Sequence, residues 1–277
     1  MLRLFYAETY KLRKSKSFYI CVISAIAFVF LMYGMLAIAD NIQKGRLENG
    51  TGGVIVSVNK EEADLSSSSI WDTVSIMDML QEIFSGDVMG IILSIFASIF
   101  VIREFSSGML KNIVGKGCSR CSIYLAKLEA AILASILISL AGIAATLVCG
   151  WLFAGTDPLS GSIWKHLPAY TGLQLLLITA ITSIFVLIGE ISRNLAAGIS
   201  LGICTAAFPA LLLNILDMQF ADSSITPSQF WPLTRLSACP FEGLTAGYAA
   251  ETFAVTLFWI VLAAGLGIWH FYKTDIR

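Results

Sequence analysis

Six stretches of this chain each run for about the length of a bilayer crossing with scarcely a charge among them, and no other feature constrains the fold so strongly. They cover 18–39, 83–102, 130–153, 167–189, 195–216 and 252–272. A helix rises about 1.5 Å per residue, so about 20 apolar residues cross a hydrocarbon core about 30 Å thick. Asp87 falls near the outer limit of the second stretch, and His270 lies at the end of the last. A barrel strand would show about 10 residues of alternating polarity, whereas these runs are continuous. Composition agrees: 57% of residues are hydrophobic and 13% charged, against about 25% charged in a soluble domain. Mean hydropathy is +0.79. Disorder, a coiled coil, a disulfide-stapled secreted domain and a nucleic-acid binder are all excluded. The expectation is an all-α membrane protein, a single transmembrane domain over 1–277 built as a six-helix bundle.

Lys and Arg gather on the cytoplasmic side of membrane proteins. Thirteen of the 18 basic residues fall in the N-terminal segment, in the loop between spans two and three, at Arg193, or at the C-terminus. Fourteen of the 19 acids fall on the other side. Both termini are therefore expected in the cytoplasm, as an even number of spans requires. The near-zero net charge averages a basic inner face and an acidic outer one. Ala37, Ile38 and Ala39 resemble a signal cleavage site, but the preceding apolar run exceeds the roughly 7–15 residues of a signal core. The first span is expected to be retained.

No Asp, Glu, Lys or Arg sits mid-span, which counts against a proton-coupled carrier, a voltage sensor or an ion pump working alone. Mid-span polarity is confined to residues such as Ser94, Ser98, Ser135, Ser139, Thr182, Ser183, Thr205 and Asn214. These can bond between helices or line a path. The chain carries no H-E-x-x-H and no G-x-S-x-G. Cys118 and Cys121 form a lone CxxC without a second ligand pair, and read as two incidental thiols. Gly115, Lys116 and Gly117 fail as a nucleotide loop, because Gly117 stands where Ser or Thr is required. No cofactor, and no ATP, is expected in this chain.

Three connecting segments carry further signals. The N-terminal residues read as an interfacial amphipathic helix over 1–16. At 100° per residue, Leu2, Phe5, Tyr6, Thr9 and Leu12 share one face, with Arg3, Lys11 and Lys14 opposite. In the cytoplasmic loop 103–127, Met109, Leu110, Ile113 and Val114 fall on one face of a short helix. Ser106 or Ser107 can cap its start, and Gly115 suits its end. That face must meet either the membrane or another protein. Outside, the loop 41–82 carries Trp71, Val74, Met77 and Leu80 at threefold spacing, which suggests a helix along the outer interface. The segment 217–251 contains Phe230, Trp231 and Pro232, then Pro240 and Phe241, and is too apolar for a solvated loop. It reads as short helices dipping into the outer leaflet. Gly198 and Gly202 form a GxxxG close-packing motif, and Pro209 marks a kink.

The pattern resembles an ABC-2 type transporter permease. The resemblance rests on the six-span topology, on the run ETYKLRKSKSF from Glu8 to Phe18, and on REFSSGMLKN from Arg103 to Asn112, continued by Ser119, Arg120, Ile123, Tyr124 and Lys127. Small Gram-positive permeases of bacitracin and lantibiotic export or immunity systems look similar. Met109 departs from the Thr that often follows the loop glycine. The resemblance implies two permease chains, identical or paralogous, in the bacterial plasma membrane, bound to two separate ATPase subunits that hold the ATP and Mg. It implies that Gly108, Met109, Leu110, Lys111, Asn112, Ile113 and Val114 form a coupling helix seated on the ATPase. Glu104 and the basic helix with Lys11 and Lys14 would support that contact. The segment 217–251 would form an outer re-entrant gate, and the chain itself would not be catalytic. The apolar spans fit an amphipathic peptide, antibiotic or lipid-like cargo better than a small ion. An ATP-independent carrier or channel, and a membrane protein without transport activity, are the competing readings.

Overall fold

The computed structural model describes residues 2–48, 76–83, 86–106, 119–154, 161–219, 226–241 and 244–273. These form helices α1 (Leu2–Lys14), α2 (Lys16–Glu48), α3 (Ile76–Ile83), α4 (Gly86–Ser106), α5 (Arg120–Ala154), α6 (Gly161–Ser192), α7 (Leu195–Gln219), α8 (Pro232–Ser237) and α9 (Ala246–Lys273). A single 3-10 turn, Pro227–Phe230, precedes α8. No strand occurs among the described residues. The chain is an all-α protein with six helices long and apolar enough to span a membrane: α2, α4, α5, α6, α7 and α9.

The long helices run past the apolar limits read from the sequence. Helix α5 has 35 residues, about 52 Å of axial length, where the apolar stretch covers only 130–153. Apolarity ends where lipid ends, but backbone hydrogen bonding does not. Charged residues continue the helix past the apolar run, so the connection between α4 and α5 shrinks to the residues between Ser106 and Arg120. The coupling helix expected at 108–114 lies outside the described residues, as do the Ser107 cap and Trp71 and Val74 of the outer loop. The rest of that outer helix is α3. Its Leu80 and Ile83 are buried, and α3 packs on α5.

Helix α6 occupies the centre and borders α4, α5, α7, α8 and α9. Two thirds of its span (67%) is buried by protein, against 11% for α7. The buried hydroxyls of the central helices bond to their own backbones. Ser135 donates to Ala131 O at 2.9 Å, Thr146 to Gly142 O at 2.9 Å, and Thr182 to Ile178 O at 2.8 Å. These side chains are satisfied locally rather than turned toward a polar path.

Peripheral α7 is held along one edge by small residues. Gly198, Gly202 and Ala206 are its buried positions. They lie against Ser98, Ser94 and Gly90 of antiparallel α4, small residues facing small ones, with the Ile102 side chain also seated over Gly198. A Cβ on Gly202 would stand 2.9 Å from Ser94 Cβ. The GxxxG motif is thus used inside the chain. The α6–α7 turn is equally tight: Arg193 adopts φ 50°, a left-handed conformation costing roughly 1–2 kcal/mol for a non-glycine residue. Asn194 caps α7 by accepting the Ala196 N–H at 3.1 Å.

Candidate functional site

Two built polar sites lie at opposite ends of the bundle. The inner one gathers charges from helices far apart in sequence. Lys11 of α1 donates to Glu8 at 2.8 Å and to Glu104 Oε1 at 3.0 Å. The other oxygen of Glu104, at the end of α4, pairs with Lys127 of α5 at 3.0 Å. Lys127 is only 3% exposed, and its ammonium lies 4.9 Å from the centre of the Phe105 ring. The Arg193 guanidinium approaches the same ring at 5.4 Å. Glu190, near the end of α6, is buried with neither carboxylate oxygen hydrogen-bonded among the described residues. Lys127 and Arg193 supply the opposing charge it feels.

The electrostatics of α1 follow from this packing. Burial first, and then the charge of Glu104, push the Glu8 carboxyl above the usual carboxylate range. Burial also works against the Lys11 charge, but its bonds to the two carboxylates prevail and raise its affinity for the proton. The faces of α1 differ from those read off the sequence. Leu12 is buried, Phe5 half-buried and Tyr6 72% exposed. Lys11, assigned to the outward polar face, turns in to the ion pairs, while Lys14 stays exposed. The side chain of Leu2 lies outside the described residues. An amphipathic wheel misplaces Lys11 because it sees only one helix: two buried carboxylates decide where the lysine points. Glu104 is likewise turned inward, to Lys11 and Lys127.

The outer site is built around Arg235, which composition alone counts as one more loop charge. It is buried in α8. Its Nε donates to Thr252 Oγ1 at 2.9 Å and its Nη1 to Gln229 O at 3.2 Å. Its Nη2 donates to Tyr248 O at 3.4 Å and to Glu251 Oε2 at 3.1 Å. The guanidinium also lies 4.7 Å from the Tyr248 ring centre. One planar fork thus ties the 3-10 turn and α8 to the first turns of α9.

The five aromatic and proline residues expected there divide. Pro232 occupies the first position of α8 and is buried. Phe241 is buried and packs on Tyr170 at 5.0 Å. Trp231 stands edge-on to Trp259 at 5.0 Å. Pro240 is half-buried, and the Phe230 ring faces outward while its carbonyl accepts the Trp259 indole N–H at 2.8 Å. Trp259 stands 13 residues into α9, about 20 Å along its axis, so the turn before α8 meets that helix well past its start, while none of the turn's own residues is buried. Gln174 of α6 donates to Leu236 O at 3.2 Å and fixes the far end of α8. Beside this wedge a cleft of about 410 Å³ opens between α4, α7 and α8. Its polar walls are Asn214, Ser228, Thr234 and Ser237, and its apolar walls include Ile91, Leu211 and Leu233.

Glu190, Gln174 and Trp259 escaped the sequence reading, and Lys127 and Arg235 entered it only as a motif residue and a loop charge. The available signal was local: Lys127 and Arg235 each sit among apolar neighbours too dense for a solvated charge.

Residues 4–208 match a family model described as ABC-2 family transporter protein. No curated protein matches the chain. The family match covers about three quarters of the 277 residues, and the chain belongs to the ABC-2 transporter family, whose members are membrane components of transporters.

Proposed function

We propose that this ABC-2 family chain is the permease subunit of an ATP-binding cassette exporter. Two such chains, identical or paralogous, form the translocation path and couple to separate ATPase subunits that bind ATP and Mg. The observation that carries this reading is the ion-paired tie of Glu8, Lys11, Glu104 and Lys127. It joins α1 to the inner ends of α4 and α5, the two helices that the coupling segment Gly108–Val114 connects in sequence. A push on that segment is delivered to three helices at once. Glu104 acts here as a positioning residue, through α1 and α5 rather than by touching the ATPase.

At the other end, the Arg235-clamped wedge is the outer re-entrant gate. The neighbouring cleft offers an amide, three hydroxyls and apolar walls to a cargo with both kinds of surface. Among the residues named for that cleft none is charged, which favours an amphipathic peptide, antibiotic or lipid-like molecule over an ion. The sparsely covered face of α7 is open to the second chain. The termini are assigned to the cytoplasm of a Gram-positive cell, and export of an antimicrobial peptide is the role this assembly suits.

The test begins with the tagged chain purified in mild detergent from its own host. A co-purifying Walker-A subunit is the expected result. Leu110→Asp or Ile113→Asp should then abolish transport-coupled ATP hydrolysis while leaving membrane insertion intact. Undiminished transport in both variants would remove the coupling helix from the mechanism.

A further inference from the structure

Beneath α1 the bundle holds a second cleft of about 400 Å³, walled by α1 and the last turns of α4. Its size falls within the roughly 300–1,000 Å³ of ordinary small-ligand clefts. It shares no lining residue with the cleft beside the outer wedge. We propose that it binds the phosphate headgroup and upper acyl chain of an anionic phospholipid.

The argument is one of order along the membrane normal. Ile99 and Phe100 form the deeper wall, and Arg103 stands about one turn nearer the membrane surface, about 5 Å along α4. Lys11 and Lys14 of α1 close the same rim. Apolar wall below and cations above is the order of acyl chain and phosphate in a lipid. A soluble anion would use the rim and leave the apolar wall without a partner. Against Lys11, Lys14 and Arg103 the lining holds one carboxylate, Glu104, which also meets Lys127; even with Glu8 on Lys11, cations outnumber carboxylates around the cleft. The ammonium of Lys14 lies 4.9 Å from the centre of the Tyr10 ring, which keeps it beside the opening. Basic pockets between helices at a membrane surface suit phosphate headgroups. The site does not depend on the proposed transport function.

Native mass spectrometry of the purified full chain, titrated with phosphatidylglycerol or phosphatidylcholine, tests it directly. One phosphatidylglycerol should be retained in preference to phosphatidylcholine. Each rim cation removed should weaken that retention by about fivefold, so Lys14→Gln with Arg103→Gln should weaken it about 25-fold. Lys14→Arg with Arg103→Lys should restore it. Arg13→Gln removes a charge from the same helix outside the cleft and should leave the preference intact. Ile99→Trp keeps every charge but fills the cleft, and should abolish retention. Equal retention of the two lipids, or equal losses in Arg13→Gln and the rim double variant, would overturn the proposal. So would binding of inorganic phosphate by the delipidated chain with no lipid preference, which would assign the rim to a soluble anion.

Discussion

The inner and outer polar sites solve one problem, a buried cation near a membrane surface, in opposite ways. The inner site uses lysines and carboxylates whose positions are up to 119 residues apart, from Glu8 to Lys127. Its three ion pairs, Lys11–Glu8, Lys11–Glu104 and Lys127–Glu104, each join side chain to side chain. The outer site uses one arginine, Arg235, and its partners fall between Gln229 and Thr252. Among the described residues, two of its four bonds go to backbone carbonyls, and the carboxylate it meets, Glu251, has a side chain 65% exposed. The first arrangement joins distant helices through one shared carboxylate, and loss of Glu104 breaks two of its pairs at once. The second pins a local wedge to one helix and degrades step by step.

Four substitutions test that contrast, from the largest effect to the smallest. Glu104→Ala leaves the buried Lys127 without its carboxylate and should cost about 3–5 kcal/mol. Thermal unfolding of the detergent-purified chain measures it, and a loss no greater than that of Arg235→Lys would erase the contrast. Arg235→Lys keeps the charge but loses the planar fork, and should cost about 1–3 kcal/mol. Its signature is local: the Trp231–Trp259 contact loosens, shifting tryptophan emission while helical circular dichroism holds.

Glu8→Gln should change the pH profile. The folded state holds the Glu8 proton more tightly than the unfolded chain does, so the stability linked to that proton is complete in acid. It is lost as pH rises through the raised folded value. Glu8→Gln should flatten that decline and gain stability at neutral pH, read from unfolding curves recorded across the acidic range. A steeper decline in the variant would reverse the sign assigned to Glu8. Glu251→Gln, altering a mostly exposed partner, should cost no more than about 1 kcal/mol. A larger loss would make the outer site as interdependent as the inner one.

The contrast also explains what could be read in advance. The six spans were legible because lipid demands a long apolar run from each helix independently of its neighbours. The helix of α1 was legible, but the faces assigned to it were not. The inward turn of Lys11 was not, because Glu104 stands 93 positions away and nothing local marks the pair. Gly198 and Gly202 announced close packing, but Ser94 and Ser98 read only as polar spots until α4 and α7 were laid side by side. Arg235 was counted as an orientation charge, since a wedge folded back among helices has the composition of an apolar loop. The coupling residues Gly108–Val114 were named from spacing and resemblance, and they lie outside the described residues.

The small-residue edge of α7 carries a consequence of its own. In a bilayer, leucine gains nothing by leaving acyl chains for other leucines. What favours the α7–α4 joint is a contact that flexible chains fit poorly: two backbones brought close, with the hydroxyls of Ser94 and Ser98, the Ala206 methyl and the Ile102 side chain filling the seam. Its strength is therefore set by the bilayer as well as by the chain. A lipid that packs well into a shallow groove would compete for the joint, so membrane composition acts on the attachment of α7 as temperature acts on an ordinary core.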